Sequence, residues 1–293
     1  MELRHLIYFE AVARHQHVTR AAEELMIAQP ALSKQIRDLE RDLGGVLLFD
    51  RSGRSVKLTE AGKAFLEHTR TILHQVEAAR AELRDRAGVR RGRVAVGVPP
   101  TVGVWLLPGA LAEFHTKYPL IDLRVREGGT QMLLGLLKSG DLDMAVVTLP
   151  VPHEEVRVTP LFDEELVIAT ARDHPLAARG EVAFTELLWE RFLLYPEGYE
   201  MREVTLAACK RAGFLPRVVL DGGEMDMLLR LAEVGLGIAL MPPLAMQSER
   251  LAAVRISDQE LRRTMALVIH HERGLIPAAL TLHGFLAEYL AQP

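Results

Sequence analysis

Along the first part of the chain, apolar positions recur at helical spacing in three short blocks and then at strand spacing in two. Leu3, Leu6, Ile7, Phe9, Val12 and Ala13 make one amphipathic helix. "RAAEELM" makes a second, with Thr19 as its expected cap, Glu23 and Glu24 in its first turns, and Ala21-Ala22 small enough for a close helix neighbour. After a tight turn at Met26–Ala28 comes "IAQPALSKQIRDLERDLG". Its Leu32, Ile36, Leu39 and Leu43 step by 4, 3 and 4, one buried stripe that Gly44-Gly45 stops. "VLLFDRSGRSVKLTEAG" then offers two extended runs around Ser52-Gly53, a β-hairpin. From Ala61 to about Ala87 one long helix is predicted. Phe65, Thr69, Ile72, Val76, Ala79 and Leu83 step by 4, 3, 4, 3, 4, a heptad seam. A helix of that length extends ~40 Å, too far to bury its seam in a small domain. A dimer is the expected use, with packing on its own chain as the alternative. "RDRAGVRRG" reads as a polar linker.

Beyond Gly92, strands and helices alternate. "RVAVGV" is a strand, Val104–Lys117 a helix, "IDLRVRE" a strand, Thr130–Ser139 a helix and "LDMAVV" a strand, an α/β pattern with a largely parallel sheet. A shift of 94 residues lays Gly128-Gly129 on Gly222-Gly223, Leu134 on Leu228, Leu137 on Leu231, Leu142 on Leu236 and Ala145 on Ala239. Two similar lobes imply a cleft between them, a usual place for a small ligand. The expected domains are 1–60, a linker helix over 61–89, and a two-lobed domain over 90–293. Its first lobe takes about 90–161 plus 267–293, and its second about 162–266.

Two short helices joined by a tight turn and followed by a basic hairpin point to a winged helix-turn-helix. A helix that enters the major groove by its N-terminus must be slim there. Pro30 and Ala31 meet that need, while Gln29, Ser33, Lys34 and Arg37 offer donors to bases and phosphates. An ordinary solvated helix face is the competing explanation, and the basic hairpin weighs against it. Bulk charge does not decide the matter. Residues 1–90 hold 15 Lys/Arg against 13 Asp/Glu (+2), and residues 91–293 hold 20 against 26 (−6), which gives the net −4. Cys209 is the only cysteine, so no intrachain disulfide forms and a reducing compartment is expected. The opening "MELRHLIYFEAVARHQ" is broken by charges and is neither a signal peptide nor a membrane span. A cytoplasmic location without membrane contact follows as an expectation.

Over nearly its whole length the chain resembles the LysR-type transcriptional regulators. The match is carried by "AAEELMIAQPALSKQIRDLERDLGGVLLFDR", "LTEAG", "GDLDMAVV", "PLFDEELVIATARDHPLA" and "LAEVGLGIALMP". The resemblance implies an α/β protein with an N-terminal winged helix-turn-helix, a linker helix that pairs two chains, and a periplasmic-binding-protein-like effector domain. It further implies a homodimer, and usually a homotetramer, on double-stranded promoter DNA with an imperfect inverted repeat, with RNA polymerase as a possible partner. Gln29, Pro30, Ser33, Lys34 and Arg37 would read the groove, and Arg51 and Arg54 would contact DNA from the wing. The family often has Ser or Thr where this chain has Ala28, so this helix starts without a strong cap.

By the same resemblance the effector cleft is lined by "VPPTVG", "GGTQ", "VVT" and "LYPEG", which gives Pro100, Thr101, Thr130, Thr148, Tyr195 and Pro196. Thr101 and Thr130 stand where helices begin, and a hydroxyl among free N–H groups suits an oxyanion, so a small organic acid is the expected ligand. Thr130 serves equally as a plain cap, and Glu224 could repel an anion. No cofactor is expected. His15 and His17 fall in a loop, His270-His271 point to opposite faces of a strand, and Asp141 and Asp143 open a strand without an acid/base partner, so neither a metal site nor a catalytic set is expected. A transport-type receptor using only the two-lobed domain, and an enzyme acting in the same cleft, are the competing functions. No P-loop, dinucleotide fingerprint or G-x-S-x-G occurs.

Overall fold

The computed structural model describes residues 1–50, 56–86, 92–152, 154 and 156–291, without the side chains at 77–78 and 81–86. It divides into two units, Met1–Ala87 and Gly88–Pro293. In the first, α1 (Leu3–His15), α2 (Val18–Glu24) and α3 (Gln29–Asp42) precede a two-stranded hairpin, β1 (Phe49–Asp50) and β2 (Lys57–Leu58), and the long α4 (Glu60–Arg86). The hairpin pairs Phe49 with Leu58 and Asp50 with Lys57. Its tip, with Arg51 and Arg54, lies outside the described residues.

The predicted stripe is the centre of this unit. Leu32, Ile36 and Leu39 are buried with Phe9, Val12, Ala21, Ala22, Leu48 and Phe49. Ala21 is fully buried, as a close helix approach requires. Each fully buried leucine contributes about 1.5–3 kcal/mol.

Four expectations for this unit need correction. Thr19 does not cap α2. The helix already starts at Val18, with His17 extended before it and no side-chain cap. Glu24 therefore falls in the last turn, where it accepts bonds from Arg14 and His15 of α1, both at 2.6 Å. The Arg14 bond, followed by that of His15, pulls its carboxyl down to about 2. Accordingly His15 is the last residue of α1 rather than part of a loop. The heptad seam also divides. Phe65 packs edge-on against Phe9 with ring centroids 5.1 Å apart, and Thr69 is fully buried, so the start of α4 belongs to its own chain's core. From Ile72 onward the seam emerges: Ile72 is 38% exposed, Val76 half-buried and Ala79 exposed. The Leu83 side chain lies outside the description.

The "LTEAG" segment is explained by a crowded joint. Thr59 Oγ1 donates to the Leu47 carbonyl at 2.7 Å and accepts from the Gly62 N–H at 2.9 Å. The buried Glu40 accepts the Leu48 N–H, tying the hairpin to α3. A Cβ on Gly62 would stand 2.0 Å from the Leu48 carbonyl oxygen, so no larger residue fits.

The second unit holds two lobes. The first lobe is built from β3 (Gly92–Val98), α5 (Pro100–Trp105), α6 (Leu107–Lys117), β4 (Ile121–Glu127), α7 (Thr130–Ser139), β5 (Met144–Thr148) and β6 (Val156–Glu165). The chain then forms β7 (Val167–Ala171), β8 (Glu181–Val182), β9 (Arg191–Leu194), α8 (Glu200–Arg211), β10 (Arg217–Asp221), α9 (Met225–Glu233), β11 (Ala239–Met241) and β12 (Leu251–Ile256) before returning as β13 (Arg262–His270) and α10 (Pro277–Leu290). The first sheet has the order β4-β3-β5-β13-β6, and the second lobe carries β11-β7-β12-β8 with β10-β9 alongside. The long antiparallel pair β6 and β13 crosses between lobes. It extends to Glu165 and begins at Arg262, beyond the expected 161 and before the expected 267.

The helix expected over Val104–Lys117 is two helices meeting at Leu106, because Pro108 belongs only in a first helical turn. The repeat holds for its elements, since β4, α7 and β5 correspond to β10, α9 and β11. Inside the helices it slips by one. The buried faces are Leu133 and Leu137 against Leu228 and Ala232, and the left-handed terminating glycines are Gly140 and Gly235, each pair 95 apart rather than 94. Asp143 accepts the Ala95 N–H at 2.7 Å, and Cys209 is fully buried on α8, so both are structural. His270 closes β13, with His271 beyond it.

Gly62→Ala should destabilise the first unit by about 1–3 kcal/mol through overpacking. Gly135→Ala in α7, where a Cβ meets nothing within 4 Å, should instead stabilise the second unit by about 0.5–1 kcal/mol. Amide hydrogen exchange resolved by segment reads both. Unchanged protection in α1–α3 of Gly62→Ala contradicts the packing account.

Candidate nucleic-acid interface and ligand cleft

Helix α3 starts without a side-chain cap, as the residue type at Ala28 predicts, and carries Pro30 in its first turn. Gln29, Pro30, Lys34 and Arg37 are exposed and Ser33 is half-buried; Gln29 is exposed as the first residue of the helix, and the others flank or oppose the Leu32–Ile36–Leu39 stripe. Gln29 Nε2 donates to Ser33 Oγ at 2.9 Å, which holds the carboxamide along the first turn. Arg41, one turn on, pairs with Asp38 at 3.0 Å. Lys34 and Arg37 pair with no carboxylate among the described residues, so their charge faces outward. The structure thus groups the five expected groove readers on one slim cationic surface.

In the second unit, Thr101, Thr130 and Thr148 lie where β3, β4 and β5 end, at one edge of the first sheet. Tyr195 and Pro196 follow β9 of the second lobe, and Pro100 opens α5. The loops meet: a Cβ on Gly129 would stand 2.4 Å from the carbonyl oxygen of Gly198. Tyr195 is buried, its hydroxyl donates to Met241 Sδ, and burial pushes its titration up. Tyr199 stacks on it with centroids 6.2 Å apart and donates to Glu224 at 3.1 Å. Burial first, then Glu224, pushes Tyr199 up to about 12.

The threonine oxygens already accept bonds from within the protein. Thr101 is buried and its Oγ1 accepts from Arg263 Nη2 at 3.0 Å. Thr130 Oγ1 accepts the Thr148 N–H at 3.4 Å, and the Thr148 hydroxyl lies against Met265 Sδ. Arg263 is the residue that sequence reasoning missed. It is 5% exposed and reaches Glu164 Oε1 from Nε at 2.7 Å and from Nη2 at 2.6 Å. The two are opposite each other in the β6–β13 register. Glu200, opening α8, has its carboxyl raised by burial against the opposing pull of a Thr148 hydrogen bond. Among the described residues no group of three or more His, Cys, Asp or Glu is placed to hold a metal, and no helix is long and apolar enough to cross a membrane.

These two sites fall in separately recognised regions. A family model described as "Bacterial regulatory helix-turn-helix protein, lysR family" matches residues 3–63, and one described as "LysR substrate binding domain" matches residues 87–291. The chain belongs to the LysR family. It is 33% identical over 296 residues to the transcriptional dual regulator GltC of Bacillus subtilis, covering 100% of this chain and 98% of GltC. It is 34% identical over 272 residues to the DNA-binding transcriptional dual regulator OxyR of Escherichia coli, covering 92% and 89%. Among solved structures it is similar to a full-length OxyR variant from Pseudomonas aeruginosa, with a TM-score of 0.78 at 28% identity over 99% of this chain and 94% of that one. This LysR-family chain is therefore a DNA-binding transcription regulator with an effector domain, and not an enzyme.

Arg263→Met should cost about 3–5 kcal/mol, because it leaves Glu164 charged and uncompensated in a mostly buried position. Adding Glu164→Leu should recover most of that loss. Thermal unfolding of the single and double variants checks this, and a double variant no more stable than the single one contradicts the coupling.

Proposed function

We propose that this regulator binds an inverted-repeat operator as a dimer or tetramer and answers to a small molecule held between the lobes of its second unit. The observation that carries the DNA reading is the exposed, slim N-terminal face of α3 backed by its fully buried stripe. Gln29, Pro30 and Ser33 read base edges there, while Lys34 and Arg37 contact phosphate. Arg51 and Arg54 of the wing add contacts beyond the groove. Two copies pair through the emergent part of the α4 seam, from Ile72 through Val76 and Ala79 to Leu83. Tetramers and RNA polymerase contact follow the usual assembly of the family, and the cytoplasm is the working compartment. A receptor using the two-lobed domain alone leaves the helix-turn-helix without a role.

The ligand is a small organic acid, and Arg263 supports that reading better than the threonines do. A buried guanidinium beside Thr101 is the strongest anion partner the cleft contains. The acid is recognised by exchange with Glu164 on Arg263, with the Thr101 hydroxyl beside the guanidinium still able to donate. Tyr195, Pro196 and Pro100 supply the walls.

A gel shift of the full chain on the DNA upstream of its own gene, with size-exclusion chromatography, tests the reading. The wild type should run as an oligomer and shift that DNA. Val76→Asp places a charge in an apolar seam, at a cost of several kcal/mol unless the helices part, so it should run smaller and lose the shift. A variant that stays oligomeric at micromolar concentration and still binds contradicts the seam assignment.

A further inference from the structure

Two helix starts meet across the cleft. A Cβ on Gly129, the residue before α7, would stand 2.4 Å from the carbonyl oxygen of Gly198 and 3.4 Å from the Cα of Tyr199, the residue before α8. Glu200 therefore enters from the second lobe where Thr130 opens α7, and its carboxyl accepts from the Thr148 hydroxyl of the first lobe. Thr148 stands opposite Met265 in the β5–β13 register and its hydroxyl touches the Met265 sulfur, so the two share one face of the sheet. Arg263, two residues from Met265, is buried on that same face. Diagonal neighbours such as Thr148 and Arg263 have Cα atoms ~7–8 Å apart, a gap that one small ligand spans.

The charges at this place do not balance. Arg263 is the cation, and it stands among two carboxylates, Glu164 at 2.6 Å and Glu200 from the other lobe. Glu164 and Thr101 already accept from its guanidinium. Glu200 forms no ion pair among the described residues. Arg202, in the first turn of the same helix, is committed elsewhere: it pairs with Asp221 and donates to the Tyr195 carbonyl at 2.9 Å. Burial raises the Glu200 carboxyl, against the pull of Thr148 and Arg263. A partly buried carboxylate without a cation is costly, and a positive group placed beside it relieves that cost. An acid that exchanges with Glu164 brings a third carboxylate to one guanidinium, so a plain acid is repelled by Glu200. An ammonium group on the same ligand is attracted by it.

We propose that Glu200 sets the specificity of the cleft, and that the effector is an α-amino acid. Its ammonium group meets Glu200 and Thr148 while its carboxylate meets Arg263 and Thr101. This rests on the reading of the effector as a small organic acid and narrows it to the amphoteric class. The threonine hydroxyls suit both ends, because each can donate to a carboxylate or accept from an ammonium group. Both charged groups of the ligand sit on one carbon, short enough to lie between diagonal neighbours on one sheet face.

Isothermal titration calorimetry of the full chain tests this with the common L-α-amino acids as probes. Each is paired with the matched acid that lacks the amino group and the matched amine that lacks the carboxylate. At least one amino acid should bind saturably, and about tenfold or more tightly than either matched compound. Glu200→Gln keeps the size of the side chain and removes its charge. It should shrink the preference over the matched acid to less than about threefold and keep the preference over the matched amine, with far-ultraviolet circular dichroism showing a native fold. A matched acid that binds as tightly as its amino acid overturns the amphoteric ligand and leaves the organic-acid reading standing. An absence of binding by every amino acid and every matched acid overturns both, as does an amine that binds as tightly as its amino acid. An undiminished preference over the acid in folded Glu200→Gln overturns the role of Glu200. Should that variant not fold, the wild-type comparison alone decides the ligand class.

Discussion

Burial of Leu32, Ile36 and Leu39 against Phe9, Val12 and the Ala21-Ala22 pair is the contact on which the DNA-facing half of this protein depends. It fixes the rotation of α3 about its own axis, and rotation decides which side chains face outward. With the stripe pinned, Gln29, Pro30, Lys34 and Arg37 have no alternative to the surface. The same contact explains why an uncapped helix start is tolerated. Tertiary packing supplies most helical stability, so a missing cap worth ~1 kcal/mol is small beside three buried aliphatic side chains. The Glu40 bond to Leu48 and the Thr59–Gly62 joint then carry the position of α3 over to the hairpin and α4.

In the effector unit the corresponding element is the pair of crossing strands. β6 and β13 pair from end to end with one register shift between Met265 and Ala266, and Arg263 and Glu164 face each other within that ladder. A buried ion pair placed there costs desolvation that an apolar pair would avoid. Its third bond runs to Thr101 at the start of α5. Helix α5 links this network to Trp105 and hence to the second lobe.

Much of this was legible in the sequence because it rests on local periodicity. The steps of 4, 3 and 4 in α3, the ends of β4 and α7, and the two extended runs of the hairpin all follow from spacing over a few residues. What was hidden depends on partners distant in the chain. Glu164 and Arg263 are 99 residues apart, and neither periodicity nor charge count announces that a strand register sets them opposite each other. Phe65 reads as a seam residue until Phe9 is seen to claim it, so only Ile72 onward is left for a partner. Thr19 loses as a cap because tight packing of Ala21 and Ala22 matters more than one side-chain bond. The slip from 94 to 95 arises because hydrophobic residues are frequent enough in both helices to match in the wrong register.

The central claim is that the first turns of α3 read bases while the cationic groups beside them hold phosphate. Binding of wild type and Gln29→Ala to operator and non-operator duplexes across a salt series tests it most directly. Gln29→Ala should cost about 1–3 kcal/mol on the operator, far less on random DNA, and leave the salt slope nearly unchanged. Lys34→Ala should weaken both duplexes more evenly and flatten the salt dependence by about one unit of slope. Equal weakening of both duplexes by Gln29→Ala contradicts the placement of this helix in the groove.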